Sequence, residues 1–190
     1  VPEGVFAANA KPLYIDVVEN GVTMSSLDLE EKLELNSDVK VVVIQHTFGI
    51  VADVENIIRV ANKYNLIIIE DCCHTFNSEY KSAKVGSFSD ASFYSFEWVK
   101  PISLGLGGAV KIIDQDILAK ISNRYEFFEN PTLKSELQLF IQRIAFFIFY
   151  NPRTYWTVKR LYHSLSRIGI IKGNHSSCDL SQKSEEFNWK

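Results

Sequence analysis

The chain has 190 residues, 46% of them hydrophobic and 23% charged, with a formal net charge of −3. That composition supports one globular domain with a real core and excludes an intrinsically disordered chain. The mild acidity gives no whole-chain attraction for nucleic acid, and no uninterrupted apolar run reaches the roughly 18 residues of a membrane span.

Residues 12–18 read as a short strand, and Asn20-Gly21 as a turn. Ser26 is placed to cap a helix starting near Leu27, with Leu29, Leu33 and Leu35 on or near one face. Residues 39–46 form a β-branched apolar run, the pattern of a strand buried on both faces. Val54, Ile57, Ile58 and Ala61 then recur at helical spacing within 52–64. Leu66 to Ile69 predicts a second buried strand, ending in Glu70 and Asp71. Strand, helix, strand implies a parallel βαβ crossover and an α/β fold. Ligands in such sheets sit beyond the carboxyl ends of the strands, which is where Asp71 falls. Further strands are expected at 91–96 and 109–113, with Lys100 and Gly105-Leu106-Gly107-Gly108 between them. Asp114 or Asp116 opens a helix running to about Phe128.

Composition changes near Pro131. Residues 131–172 carry a net charge of +6, so the rest of the chain carries −9. This segment also contains the apolar stretch Ile144–Tyr150, broken by Asn151-Pro152. Two basic amphipathic helices are predicted here, and a polar loop over 173–184. Two readings stand side by side: an interfacial hairpin held at an anionic membrane surface, or a helical pair packed on the rest of the protein or on a partner chain.

The three cysteines are Cys72, Cys73 and Cys178. Adjacent cysteines bridge poorly, and the spacing suggests no disulfide set, so reduced thiols in a cytoplasmic protein are expected. No signal-peptide pattern is visible. The chain begins Val1-Pro2-Glu3 and its sole methionine is Met24, so a piece of a longer protein is expected.

Asp71, preceded by apolar residues at a sheet mouth, calls for a cationic partner. Lys100, in an aromatic, Gly-flanked loop, is either that partner, a Schiff-base amine, or an ordinary surface lysine. The local wording narrows the choice. Ile69-Glu70-Asp71-Cys72-Cys73-His74, the run from Val85 to Lys100, and Gly107-Gly108-Ala109-Val110 stand in one order at one set of spacings. Together they resemble the DegT–StrS family of sugar-nucleotide aminotransferases, with the fold type I architecture of pyridoxal 5′-phosphate (PLP) enzymes. Pro12–Asp16 is similar to that family's strand leading into the sheet, and Gln45-His46-Thr47-Phe48-Gly49 to its His-x-Phe/Tyr-Gly turn.

The resemblance implies a mostly parallel sheet of the large domain over 1–129, a helical insertion over 130–180, and a return to the fold over 181–190. It implies that Lys100 holds PLP covalently and shuttles a proton, and that Asp71 bonds the pyridine nitrogen. By the same likeness His74 stands near the ring and its 3′ oxygen, and Ser95 meets the cofactor phosphate. Asn188, in Phe-Asn-Trp-Lys, is similar to an asparagine that reaches the phosphate of the neighbouring subunit, which implies a homodimer. His46 is read as structural, Cys72 and Cys73 as packing residues, and no metal site is expected. The implied substrates are an amino-acid donor, glutamate by resemblance, and a nucleotide-linked keto sugar. Two departures stand out: Pro101 follows Lys100 where the family has a polar residue, and Lys190 replaces an arginine. The alternatives are a dehydratase relative, in which histidine replaces the lysine, and a non-catalytic module with the same fold.

Overall fold

The computed structural model describes residues 1–125 and 130–168. It divides into two units, Tyr14–Asn130 and a second formed by Val1–Leu13 with the chain from Pro131 onward.

In the first unit a four-stranded sheet has the order β1-β2-β5-β6. Strands β1 (Val41–Gln45), β2 (Ile67–Asp71) and β5 (Ala91–Ser95) run parallel, and β6 (Gly108–Ile112) returns antiparallel to β5. Between β2 and β5 a small hairpin forms from β3 (Glu79–Tyr80) and β4 (Ala83–Lys84). Helix α2 (Ser26–Leu35) precedes β1, and α3 (Val54–Lys63) makes the crossover from β1 to β2. Ser25, one residue before the expected cap, accepts from the backbone N–H of Asp28 through its hydroxyl. Asp53 does the same for α3 toward Asn56. Such caps satisfy donors that a helix start leaves unpaired.

The core lies on one face of the sheet. Leu29 and Leu33 of α2, Ile57, Val60 and Ala61 of α3, and Val42, Ile44 and Ile68 of the strands form one buried cluster. The expectation of strands buried on both faces is corrected: Val41 is 43% and Ile67 40% exposed. Helices α2 and α3 both pack onto the Val42–Ile44–Ile68 face, so the alternate residues of the pleat are left half-open. Residues 12–18 form no strand either. Val17 makes a single antiparallel bridge to Met24 across the Asn20-Gly21 turn, too little pairing to extend into a sheet. Helix α4 (Gln115–Tyr125) is capped by Asp114, whose carboxylate accepts from Ile117 N–H at 2.7 Å. The rest of its expected run to Phe128 lies outside the described residues.

The second unit contains α1 (Pro2–Ala7), α5 (Leu133–Phe149) and α6 (Tyr155–Arg167). Thr132 caps α5. The turn into α6 is held by the Asn151 side chain, which accepts from the N–H groups of Arg153 and Thr154. Phe146 stacks on Tyr150 at this corner, and Tyr155 meets both Tyr150 and Trp156 edge-on.

Candidate active site

Side chains alternate across a strand, so the neighbours Glu70 and Asp71 at the end of β2 face opposite sides of the sheet. Glu70 is in register with Ile44 and Ser92, on the covered face. Asp71 is in register with Gln45 and Phe93, on the other.

Glu70 is fully buried and anchors the loop leading into β5. Its Oε1 accepts from His46 Nε2 at 3.3 Å and Gly86 N–H at 3.0 Å, and its Oε2 from Phe88 N–H at 3.1 Å and the Ser89 hydroxyl at 2.8 Å. Burial pushes this carboxyl up, and the four donors together outweigh it and hold the group below its ordinary range. His46 is also fully buried. Its Nδ1 accepts from Ala52 N–H at 3.2 Å, so the ring proton sits on Nε2 and points at Glu70. His46, Glu70 and Cys72 have ligand atoms within 4.8 Å of one another, a spacing that suits a metal ion. The lone pairs of the imidazole and the carboxylate are already engaged by N–H and O–H donors, so the cluster is a hydrogen-bonded core. His46 is structural, and Glu70, read from sequence only as the end of a strand, is the residue that positions the loop.

On the other face Asp71 is 6% exposed. Its Oδ1 accepts from Cys73 N–H at 3.1 Å. The chain then turns to His74, whose Nε2 lies 3.0 Å from Lys100 Nζ. With the amine as donor, Nε2 is the acceptor and the imidazole proton sits on Nδ1. Lys100 reaches this point from a loop that closes on itself. Leu104 N–H bonds Phe96 O, Phe96 N–H bonds Gly107 O, and Lys100 N–H bonds Glu97 O. Pro101 therefore removes no donor that this turn uses. The Cys73 thiol registers both charges. Burial pushes it up to about 12, helped by the Asp71 carboxylate and opposed by the Lys100 ammonium. Lys100 and His74 thus meet in the loop that follows Asp71 at the carboxyl end of β2.

Phe48 lies against His74; the sequence places it in a His-x-Phe/Tyr-Gly-like turn but assigns it no role. Its backbone is left-handed (φ 55°, ψ 22°), a costly conformation for a bulky residue. It sets the phenyl ring 3° from parallel with the His74 imidazole, centroids 6.5 Å apart. An aromatic followed by Gly49 signals a turn but does not foretell the ring orientation. Ser95 ends β5 on the same sheet face as Asp71, two residues beyond its register partner Phe93. No hydrogen bond among the described residues joins its hydroxyl to the other three. Asn188 lies outside the described residues, as do Cys178 and Lys190.

The profile of the DegT/DnrJ/EryC1/StrS aminotransferase family matches residues 2–138. The chain belongs to this family. It is 36% identical over 108 residues to GDP-perosamine synthase of Escherichia coli O157:H7, covering 57% of this chain and 29% of that protein. It is 37% identical over 115 residues to UDP-4-amino-4,6-dideoxy-N-acetyl-beta-L-altrosamine transaminase of Campylobacter jejuni, covering 60% of this chain and 30% of that one. Among solved structures, the aminotransferase from Psychrobacter cryohalolentis aligns with TM-score 0.59 at 27% identity, over 68% of this chain and 35% of that one. Helicobacter pylori PseC, an aminotransferase involved in pseudoaminic acid biosynthesis, aligns with TM-score 0.56 at 28% identity, over 66% and 34%. The chain therefore spans about a third of the length of these relatives.

Proposed function

We propose that the full-length protein is a PLP-dependent aminotransferase that moves an amino group from an amino acid, glutamate by family resemblance, to a keto carbon of a nucleotide-linked sugar. The observation that carries this reading is the approach of Lys100 Nζ to His74 Nε2 at 3.0 Å, three residues past the buried Asp71. Membership of an aminotransferase family and two relatives named for GDP- and UDP-sugar products support it.

The residues present fit the cofactor: a primary amine meets a ring-nitrogen acceptor in the loop just after a buried carboxylate at a strand end. Bound there, PLP supplies an electron-withdrawing ring that stabilises negative charge on the amino-acid carbon that loses its proton. Lys100 is the nucleophile that holds it and the base that carries that proton at Nζ. His74 Nε2 receives a hydrogen from Nζ and fixes the direction of the amine before the cofactor arrives. Asp71, oriented through the Cys73 N–H, offers its remaining lone pairs to a protonated ring nitrogen. Ser95 is assigned to the phosphate. Asn188 is assigned to the phosphate across a homodimer in the cytoplasm.

The test is spectroscopic. Purified full-length protein given PLP develops the visible band of a lysine-bound cofactor. Borohydride then fixes the label on Lys100 by peptide mass spectrometry, and Lys100→Ala shows neither. A folded wild-type protein without the band, or a label on another lysine, overturns the assignment.

A further inference from the structure

Helix α5 of the second unit leaves a continuous apolar stripe open to solvent. At about 100° per residue, Leu133, Leu137, Phe140, Ile141, Ile144 and Phe147 fall on one stripe of α5 roughly 120° wide. All six are exposed, Leu133 by 81% and Phe147 by 89%. The half-buried positions of α5 are Ser135, Gln138, Leu139, Gln142, Ala145 and Phe146, on the opposite side and half of them polar. The wholly apolar stripe is the more exposed of the two faces.

Charge says what the stripe faces. Residues 130–168 carry six lysines and arginines against one acid, Glu136. Lys134 flanks one edge of the stripe, and Arg143 lies beyond the other beside Glu136; long basic side chains so placed can extend from apolar surface toward headgroups. On α6, Trp156, Arg160 and Arg167 share one exposed line, joining the aromatic type enriched at membrane interfaces to two cations. Among the described residues no helix is long and apolar enough to cross a membrane. The family match ends at residue 138, so most of α5 and all of α6 lie outside the segment by which the chain completes that fold.

We infer that α5 and α6 form an interfacial anchor that lies on an anionic bilayer, with the stripe of α5 in the acyl boundary and the basic residues at the phosphates. This goes beyond the proposed activity and does not depend on it.

Full-length protein is floated with phosphatidylcholine vesicles with and without phosphatidylglycerol. The wild type is expected to float with the anionic vesicles and not with the neutral ones. Arg160→Gln/Arg167→Gln, both on an exposed helix face, should lower partition about 30-fold, since each cation near an anionic surface contributes about fivefold. Phe140→Glu/Phe147→Glu should reduce it to background with the far-UV circular dichroism melt of the sheet unit unchanged. Absence of flotation, equal flotation with neutral vesicles, or flotation indifferent to either pair overturns the inference. Loss of a dimer in the Phe variant, with no flotation of the wild type, assigns the stripe to a protein interface instead.

Discussion

Replacing Glu70 by alanine would remove the single acceptor shared by four buried or half-buried donors. A buried donor left unpaired costs about 1–3 kcal/mol. The Gly86–Ser89 loop can relax and admit water to some of the four, so the expected loss is about 3–5 kcal/mol, the range for breaking a buried charged pair. Glu70→Gln separates charge from shape. With its amide oxygen at the Oε1 position, glutamine keeps His46 Nε2–H and Gly86 N–H. The Ser89 hydroxyl, whose Oγ also lies 2.8 Å from Ala91 O, can turn its single hydrogen to that carbonyl and accept from the new NH2. Only Phe88 N–H then faces a donor, and the expected cost is about 2 kcal/mol. Urea unfolding of the full-length protein by circular dichroism at neutral pH measures both variants. The acid limb adds a signature. The carboxyl is held below its ordinary 4.5, so its contribution is complete above that pH and fades as pH falls through the folded value. The Gln variant should lose less stability over that interval. An alanine variant within about 1 kcal/mol of wild type, or a glutamine variant as costly as alanine, refutes the account.

Two further outcomes follow from the same region. Gly86 has φ +87°, and a Cβ there would stand 2.1 Å from the Tyr94 hydroxyl, whereas Gly107, at φ +100°, has nothing within 4 Å of that point. Gly107→Ala should cost only the left-handed conformation, about 1 kcal/mol, and Gly86→Ala about 2–4 kcal/mol because Tyr94 must also move; equal melting shifts would exclude the clash. Burial, with the Glu70 charge for Cys72 and the Asp71 carboxylate for Cys73, pushes both thiols up to about 12 from 9.0. Iodoacetamide at pH 8 should modify each roughly a thousandfold more slowly than a free cysteine, and site-resolved rates within tenfold of free cysteine contradict the burial.

Much of the parallel sheet was legible because its signals are local. The β-branched runs at Val41–Gln45 and Ile67–Asp71 and the helical spacing of Val54, Ile57 and Ala61 announce a crossover unit whatever surrounds them. Asp71, His74 and Lys100 were found through wording, since 26 residues separate His74 from Lys100 and no periodicity brings them together. The hairpin of β3 and β4 went unseen: its turn places Lys81 and Ser82 at φ 47° and 67°, a conformation whose usual signature is Asn-Gly. Ion pairs from Lys84 to Glu79 and from Lys81 to Glu55 hold it instead. The strand expected at 12–18 failed for the opposite reason. Its apolar, β-branched wording is real, but among the described residues no neighbouring strand offers it a ladder, and β propensity is realised only against a partner. The turn at Phe48 was legible, but not the alignment of its ring with His74, which depends on the loop after β2.

The pleat at the end of β2 assigns two adjacent acids to separate trades. Glu70 works as a bolt inside the scaffold and Asp71 opens on the side where reactants would arrive. A substitution at Asp71 therefore leaves the four donors on Glu70 in place, although the two residues are neighbours in the chain. A one-residue slip of the strand would exchange them and spoil both jobs at once.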